Sequence, residues 1–232
     1  MTAISHAFKF SRHGPHLRAV FMLAMFVLSG MPSALAAPGT LSDKDMASLA
    51  RGEILIQTID DDRPGAAARV SAMFDSDADS IWNIIGYCEY EYIYIRGMKF
   101  CEMLEVDQFK TKMKMRHRIR NSWYSPLLDF TFEAVREPGG DGRAYLTGGN
   151  LKLMESYWRL SPPGPDNGLI VTHEIRIQTK IPAPRWLVRR SLRRDLPDML
   201  ACIRGLAGAS VEPVSNQDDL KRCPGEMPDG IK

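Results

Sequence analysis

The sequence predicts an α+β fold in which an antiparallel sheet packs on a long C-terminal helix. Three observations carry this expectation. From Met98 to Lys180 the hydrophobic period is two, in six segments joined by short connections. Connections this short make neighbouring strands antiparallel, with one apolar and one charged face. Beyond Pro184 the period becomes helical: Leu192, Leu196, Met199, Ile203 and Leu206 are spaced four, three, four and three residues apart.

The first 36 residues stand apart from this domain. Residues 1–18 carry Lys9, Arg12 and Arg18 and no acid, and an uninterrupted apolar run follows from Ala19 to Gly30. Ala34 and Ala36 are then spaced as small residues at a cleavage site. This is the layout of a secretory signal peptide, and the run is short of the roughly 20 residues that span a bilayer. The expectation is export, to a bacterial periplasm, with cleavage after Ala36; the alternative is an uncleaved anchor. Of the chain's 30 basic and 28 acidic side chains, three basic ones lie in this segment, which leaves a remainder of net charge −1. A near-neutral remainder argues against a general polyanion binder, so no nucleic-acid partner is expected. Its 196 residues suffice for one domain with a sizeable core.

Residues 37–51 read as a linker and short helix: a capping residue, then Met46, Leu49 and Ala50 at helical spacing, then Gly52. "EILIQTID" and "ARVSAMFDSD" read as strands separated by a Pro-Gly turn. "DADSIWNIIG" opens on Asp77 as an N-cap and buries Ile81, Trp82, Ile84 and Ile85. "EYEYIYIRG" fits a second short helix or, by the alternation of Tyr90, Tyr92 and Tyr94, a strand. The six strands follow. In "KMKMRHRIR", Met113, Met115, His117 and Ile119 share one face and the basic residues the other. The closing helix should be kinked or loosened at Pro197, and residues 208–232 form a polar tail held by Cys223.

Four cysteines, Cys88, Cys101, Cys202 and Cys223, all follow the exported segment. An even count in an exported chain suggests disulfides, and proximity favours Cys88–Cys101 and Cys202–Cys223 among the three possible pairings. Each such loop contributes on the order of 3 kcal/mol in the chain-entropy picture. No C-x-x-C or clustered Cys/His spacing occurs, so no metal and no cofactor is expected.

In their order, "LARGEILIQ", "FDSDADSIWNIIGYCEYEYI", "ESYWRLSP" and "KIPAPRWLVRRSLRRDLPDMLACIRGLA" resemble the START/polyketide-cyclase superfamily (SRPBCC, the helix-grip fold). The branch they resemble is the coenzyme-Q-binding-protein-like one, here with an added signal peptide; the likeness covers roughly residues 49–207. It implies a START-like domain over residues 52–207, with a curved antiparallel sheet of about seven strands wrapped on the C-terminal helix. Two short helices follow the first strand. It also implies an apolar ligand cavity between sheet and helix.

The alternation agrees with such a cavity. Met113, Met115, His117, Phe130, Phe132, Met154, Trp158, His173 and Ile175 share the candidate inner face, with Leu192, Leu196 and Met199 from the helix. Methionine adapts to irregular apolar ligands. His117 and His173 are the candidate acid–base or head-group contacts, and Glu155 and Glu174 flank the same strands. Two functional readings follow: a carrier of a hydrophobic small molecule such as a lipid, quinone, sterol-like or aromatic compound, or a cyclase/dehydratase using the same cavity. An interaction module with a filled core is the third. The basic stretch of the last helix, Arg185, Trp186, Arg189, Arg190, Arg193 and Arg194, is the candidate docking patch for an anionic membrane.

Overall fold

The computed structural model describes residues 41–121, 123, 125–138, 140–162, 168–208 and 217–225. The predicted signal segment, residues 1–36, lies outside the described residues. Helix α1 (Asp43–Ala50) starts at Ser42, whose hydroxyl and amide exchange hydrogen bonds with Asp45 as a capping box. Strands β1 (Leu55–Ile59) and β2 (Ala66–Phe74) form a hairpin. Helix α2 (Ala78–Ile85) is capped by Asp77, which accepts from the Ser80 amide at 2.9 Å, and α3 (Cys88–Tyr94) follows directly. Strands β3 (Met98–Val106), β4 (Lys112–Ile119), β5 (Leu128–Arg136), β6 (Gly142–Gly149), β7 (Leu151–Ser161) and β8 (Leu169–Thr179) lead to α4 (Arg185–Gly208) and the short α5 (Gln217–Leu220).

The sheet has eight antiparallel strands in the order β1-β2-β8-β7-β6-β5-β4-β3. Eight strands match the two and then six read along the sequence, where the resemblance implied about seven, and the two small helices follow the second strand, not the first. The reason is the Pro64-Gly65 turn, which folds the first extended segment into a hairpin of two full strands. The Tyr90–Tyr94 segment is helical. The polar tail carries α5, fixed to α4 by Cys202–Cys223 and by an Arg204–Asp219 ion pair at 2.6 Å.

Strands β2 and β3 are adjacent in sequence around the helices but lie toward opposite ends of the sheet order. The chain between them must cross the sheet, and α2 and α3 make that crossing over its inner face. Trp82 of α2 reaches β6 so closely that a Cβ on Gly142 would stand 2.4 Å from the indole Cη2. Cys88–Cys101 then ties the start of α3 to β3. Helix α4 runs through Pro197 and packs on β2 and β1, and against α2, α3 and α5. The buried residues divide into two clusters. One joins β2, β8 and α2–α3 to α4, around Phe74, Ile81, Trp158, Leu196 and Ile203; the other holds Met115, Phe130, Phe132, Leu151 and Met154 on the remaining half of the sheet.

Gly142→Ala should push Trp82 off the sheet, and overpacking of this kind costs about 1–3 kcal/mol. Urea unfolding checks it: a midpoint equal to wild type would show that the indole moves away freely.

Candidate functional site

The inner face is built by alternation along the strands. His117 on β4 is flanked by Phe130 and Phe132 of β5, whose rings meet its imidazole edge-on at 5.7 and 4.7 Å. Met113 and Met115 share that strand face, and Met154 of β7 closes the same cluster. On β7 and β8, Trp158 and His173 are register partners and their rings stack at 3.9 Å. Ile175 and the helix residues Leu192, Leu196 and Met199 belong to that second cluster. The predicted lining set is therefore all on the inner face but falls into two groups, bridged by Ile177, which packs against both. Helix α4 sits over β1 and β2 and leaves the β4–β6 half to α2 and α3. It is held there by Arg185, which donates to the Asp61 and Arg63 carbonyls, and by Arg189, which pairs with Asp60.

Several polar atoms inside this apolar surface have no protein partner. Trp82 Nε1 and His173 Nδ1 are buried without a hydrogen bond among the described residues. Buried polar groups are ordinarily paired, so such orphans mark places where a ligand or water belongs. The other ring nitrogen of His173 lies 3.0 Å from Ser156 Oγ. Burial pushes the His173 pKa down to about 3, so its imidazole is neutral at physiological pH. It can accept from or donate to a head group but carries no charge.

The sequence reading missed Glu91. This buried carboxylate on α3 places Oε2 2.6 Å from His117 Nε2 and 3.1 Å from Cys101 Sγ. Tyr94, on the same helix, donates to the Ile85 carbonyl at 3.0 Å. Burial first, and then the neighbouring Glu91 carboxylate, hold the Tyr94 hydroxyl well above its ordinary pKa. Glu91 was hidden because "EYEYIYIRG" does not reveal which face of a short helix will be covered. In contrast, Glu155 and Glu174 point to the opposite face of the sheet from Trp158 and His173. There they pair with Arg63 and with Arg69, which removes them from the acid–base set. A separate groove of about 320 Å³ lies between the C-terminal end of α1, α4 and α5, lined by residues that include Met73, Asp75, Arg204 and Asp219. It is away from the inner face, and Arg204 there is committed to Asp219.

The docking patch also divides. Arg185 and Arg189 tie α4 to the β1–β2 loop, and Arg194 pairs with Asp195 at 2.7 Å. Arg190 and Arg193 are exposed and form no ion pair among the described residues. Trp186 is 63% exposed and Leu187 and Ile181 44% each. The same end of the sheet carries the β4–β5 loop with Trp123, because Asn150 bonds the Leu127 carbonyl and Lys180 the Gly149 carbonyl. Among the described residues no helix is long and apolar enough to cross a membrane.

A curved antiparallel sheet closed by a long C-terminal helix and by two short crossover helices is the helix-grip architecture. Residues 93–204 match the family model described as polyketide cyclase / dehydrase and lipid transport. Solved structures share the fold. A STAR-related lipid transfer protein from Xanthomonas axonopodis is 14% identical with a TM-score of 0.56, covering 65% of this chain and 91% of its own. Human STARD10 is 12% identical at 0.55, covering 74% and 81%. The Zhui aromatase/cyclase from Streptomyces is 13% identical at 0.50, covering 70% and 99%. No curated protein matches the chain by sequence. The matched segment, residues 93–204, and the shared helix-grip fold are what this domain has in common with START and polyketide-cyclase proteins.

His173 makes stability depend on pH. Unfolded histidine binds its proton near pH 6.5, whereas folded His173 does so only near 3. Between these values the unfolded state binds more protons, so stability is complete above about pH 6.5 and falls below it. The loss approaches roughly 1.4 kcal/mol per pH unit. His173→Gln, which can keep the Ser156 contact, should flatten the fall in urea midpoint between pH 6.5 and 4.5; parallel curves would mean the imidazole is solvated.

Proposed function

We propose that this domain, after export, binds a hydrophobic small molecule on the inner face of the sheet, beneath α4 and the α2–α3 crossing. The superfamily fold supports a hydrophobic ligand-binding domain. The observation that carries the reading for this chain is the set of orphaned nitrogens, Trp82 Nε1 and His173 Nδ1, within otherwise apolar surroundings. A mainly apolar ligand with one or two hydrogen-bonding groups, such as a lipid, quinone, sterol-like or aromatic compound, fits that chemistry. Export to a periplasm is part of the proposal and rests on residues 1–36. The relatives named for lipid transfer support carriage.

A second reading has one observation in its favour. The Glu91–His117 pair sets a carboxylate against an imidazole at 2.6 Å on the inner face. A carboxylate beside an imidazole is the kind of pair from which a general base is built, as a cyclase or dehydratase requires. Organic extraction of the natively purified protein, followed by mass spectrometry, separates the readings. The carrier predicts a bound apolar compound recovered unchanged after prolonged incubation with the protein. Turnover of that compound, abolished by His117→Phe, would favour the enzyme. A protein that retains no apolar compound, even when offered lipid extracts, would reject both.

The exposed Trp186 and Leu187 beside Arg190 and Arg193 suit transient docking on an anionic membrane, where each basic side chain contributes about 1 kcal/mol. Trp186→Ala with Arg190→Gln and Arg193→Gln should cut sedimentation with phosphatidylglycerol vesicles at low salt by at least about tenfold, with the fold intact. Equal sedimentation of wild type and variant would leave this surface merely solvated.

A further inference from the structure

The surroundings of Cys88–Cys101 hold more than a disulfide. Cys88 and Glu91 are three residues apart on α3, so they share one helix face. Cys101 and His117 are direct register partners on β3 and β4, so they share one sheet face. The two faces meet. The sulfurs are bonded at 2.02 Å, Glu91 Oε2 stands 3.1 Å from Cys101 Sγ, and His117 Nε2 stands 2.6 Å from that same oxygen. The ligand-capable atoms of Cys88, Glu91 and Cys101 all lie within 4.8 Å of one another.

Glu91 is 4% exposed, and a buried carboxylate requires a cationic partner. Its basic neighbour is His117, whose Nε2 makes no well-aligned hydrogen bond despite the short distance. Thiolates and carboxylates are donors that zinc and cobalt(II) take in tetrahedral sites, and a neighbouring imidazole can orient the carboxylate. With metal–sulfur bonds near 2.3 Å and metal–oxygen or –nitrogen bonds near 2.1 Å, tetrahedral donors stand about 3.3–3.8 Å apart. The Cα atoms of Cys88 and Cys101, 5.4 Å apart, let their sulfurs take that spacing once they are no longer bonded.

We propose that reduction of Cys88–Cys101 converts this junction into a divalent-metal site. Cys88, Cys101 and Glu91 are its ligands, and His117, with Nε2 2.6 Å from Glu91 Oε2, orients that carboxylate. The chemistry balances. A dithiol reduces the disulfide, passing two electrons and two protons to the sulfurs and becoming a disulfide itself. The incoming dication then displaces both thiol protons. In an oxidising compartment the disulfide clasps α3 to β3; under reducing conditions the metal clasps α3 to β3. The donors of such a site come from two elements in pairs, which no compact Cys/His spacing in the sequence records.

Cobalt(II) titration of the full chain tests this, with a phosphine as reductant because it competes weakly for metal. Reduced wild type should bind one cobalt per chain, with tetrahedral visible bands and a thiolate-to-cobalt charge-transfer band; the oxidised chain should show neither. Reduced Cys202→Ser/Cys223→Ser should behave as wild type, and reduced Cys88→Ser/Cys101→Ser should lose both signals. Glu91→Gln should weaken binding at least about tenfold. Absence of cobalt binding by the reduced wild type overturns the proposal. So does charge transfer that survives in Cys88→Ser/Cys101→Ser, which would put the metal at the other cysteine pair.

Discussion

The structure depends on one topological constraint: β2 and β3 stand toward opposite ends of an eight-stranded sheet, so the chain joining them must cross its inner face. Helices α2 and α3 are that crossing, and the cover of the β4–β6 half of the sheet follows from them. Trp82 lies against the bare backbone of Gly142, and Cys88 bonds to Cys101 at the far strand. Had β3 paired next to β2, the β4–β7 half of the sheet would have no cover, and Met115, Phe130 and Phe132 would face water. Burying them removes apolar area worth roughly 1.5–3 kcal/mol per side chain.

The second cover, α4, is fixed by different means at its two ends. Near its start, Arg185 and Arg189 reach the β1–β2 loop, while Asp61 of that loop also pairs with the almost fully buried Arg176 of β8. The Arg176 guanidinium holds the Asp61 carboxyl below its ordinary pKa, so the loop stays anionic where the arginines need it. Near its end, Cys202–Cys223 and the Arg204–Asp219 pair bind the α5 segment to it. A helix pinned at both ends over β1 and β2 grips half the sheet. The space above the other half is governed by α2 and α3, where Glu91 meets His117.

This arrangement links the binding and redox properties of the domain. Tyr94, Glu91 and Cys88 all belong to α3, the element that covers the β3–β4 edge. A change in how Cys88 and Cys101 are joined acts on the same helix that presents Glu91 to the inner face. The arginine-rich start of α4 is a separate surface, partly used for the loop and partly exposed beside Trp186 and Leu187.

Period and composition determined the strands and the long helix and favoured both disulfide pairings, because these are local properties: alternation, a four-and-three apolar stripe, and cysteines close in sequence. The inner face of each strand was legible for the same reason, since a strand's side chains must alternate. What the sequence left open was every feature fixed by partners distant in the chain. Helix or strand at Tyr90–Tyr94 was undecided locally and settled by the crossing over the sheet. Glu155 and Glu174 sit on the right strands but on the outer face, where Arg63 and Arg69 meet them. Glu91 acquired its importance only when α3 folded onto β4 and brought a carboxylate to an imidazole 26 residues away in sequence. Alternation tells a side chain which way to point; only the packing of elements from opposite ends of a sheet decides what it will meet.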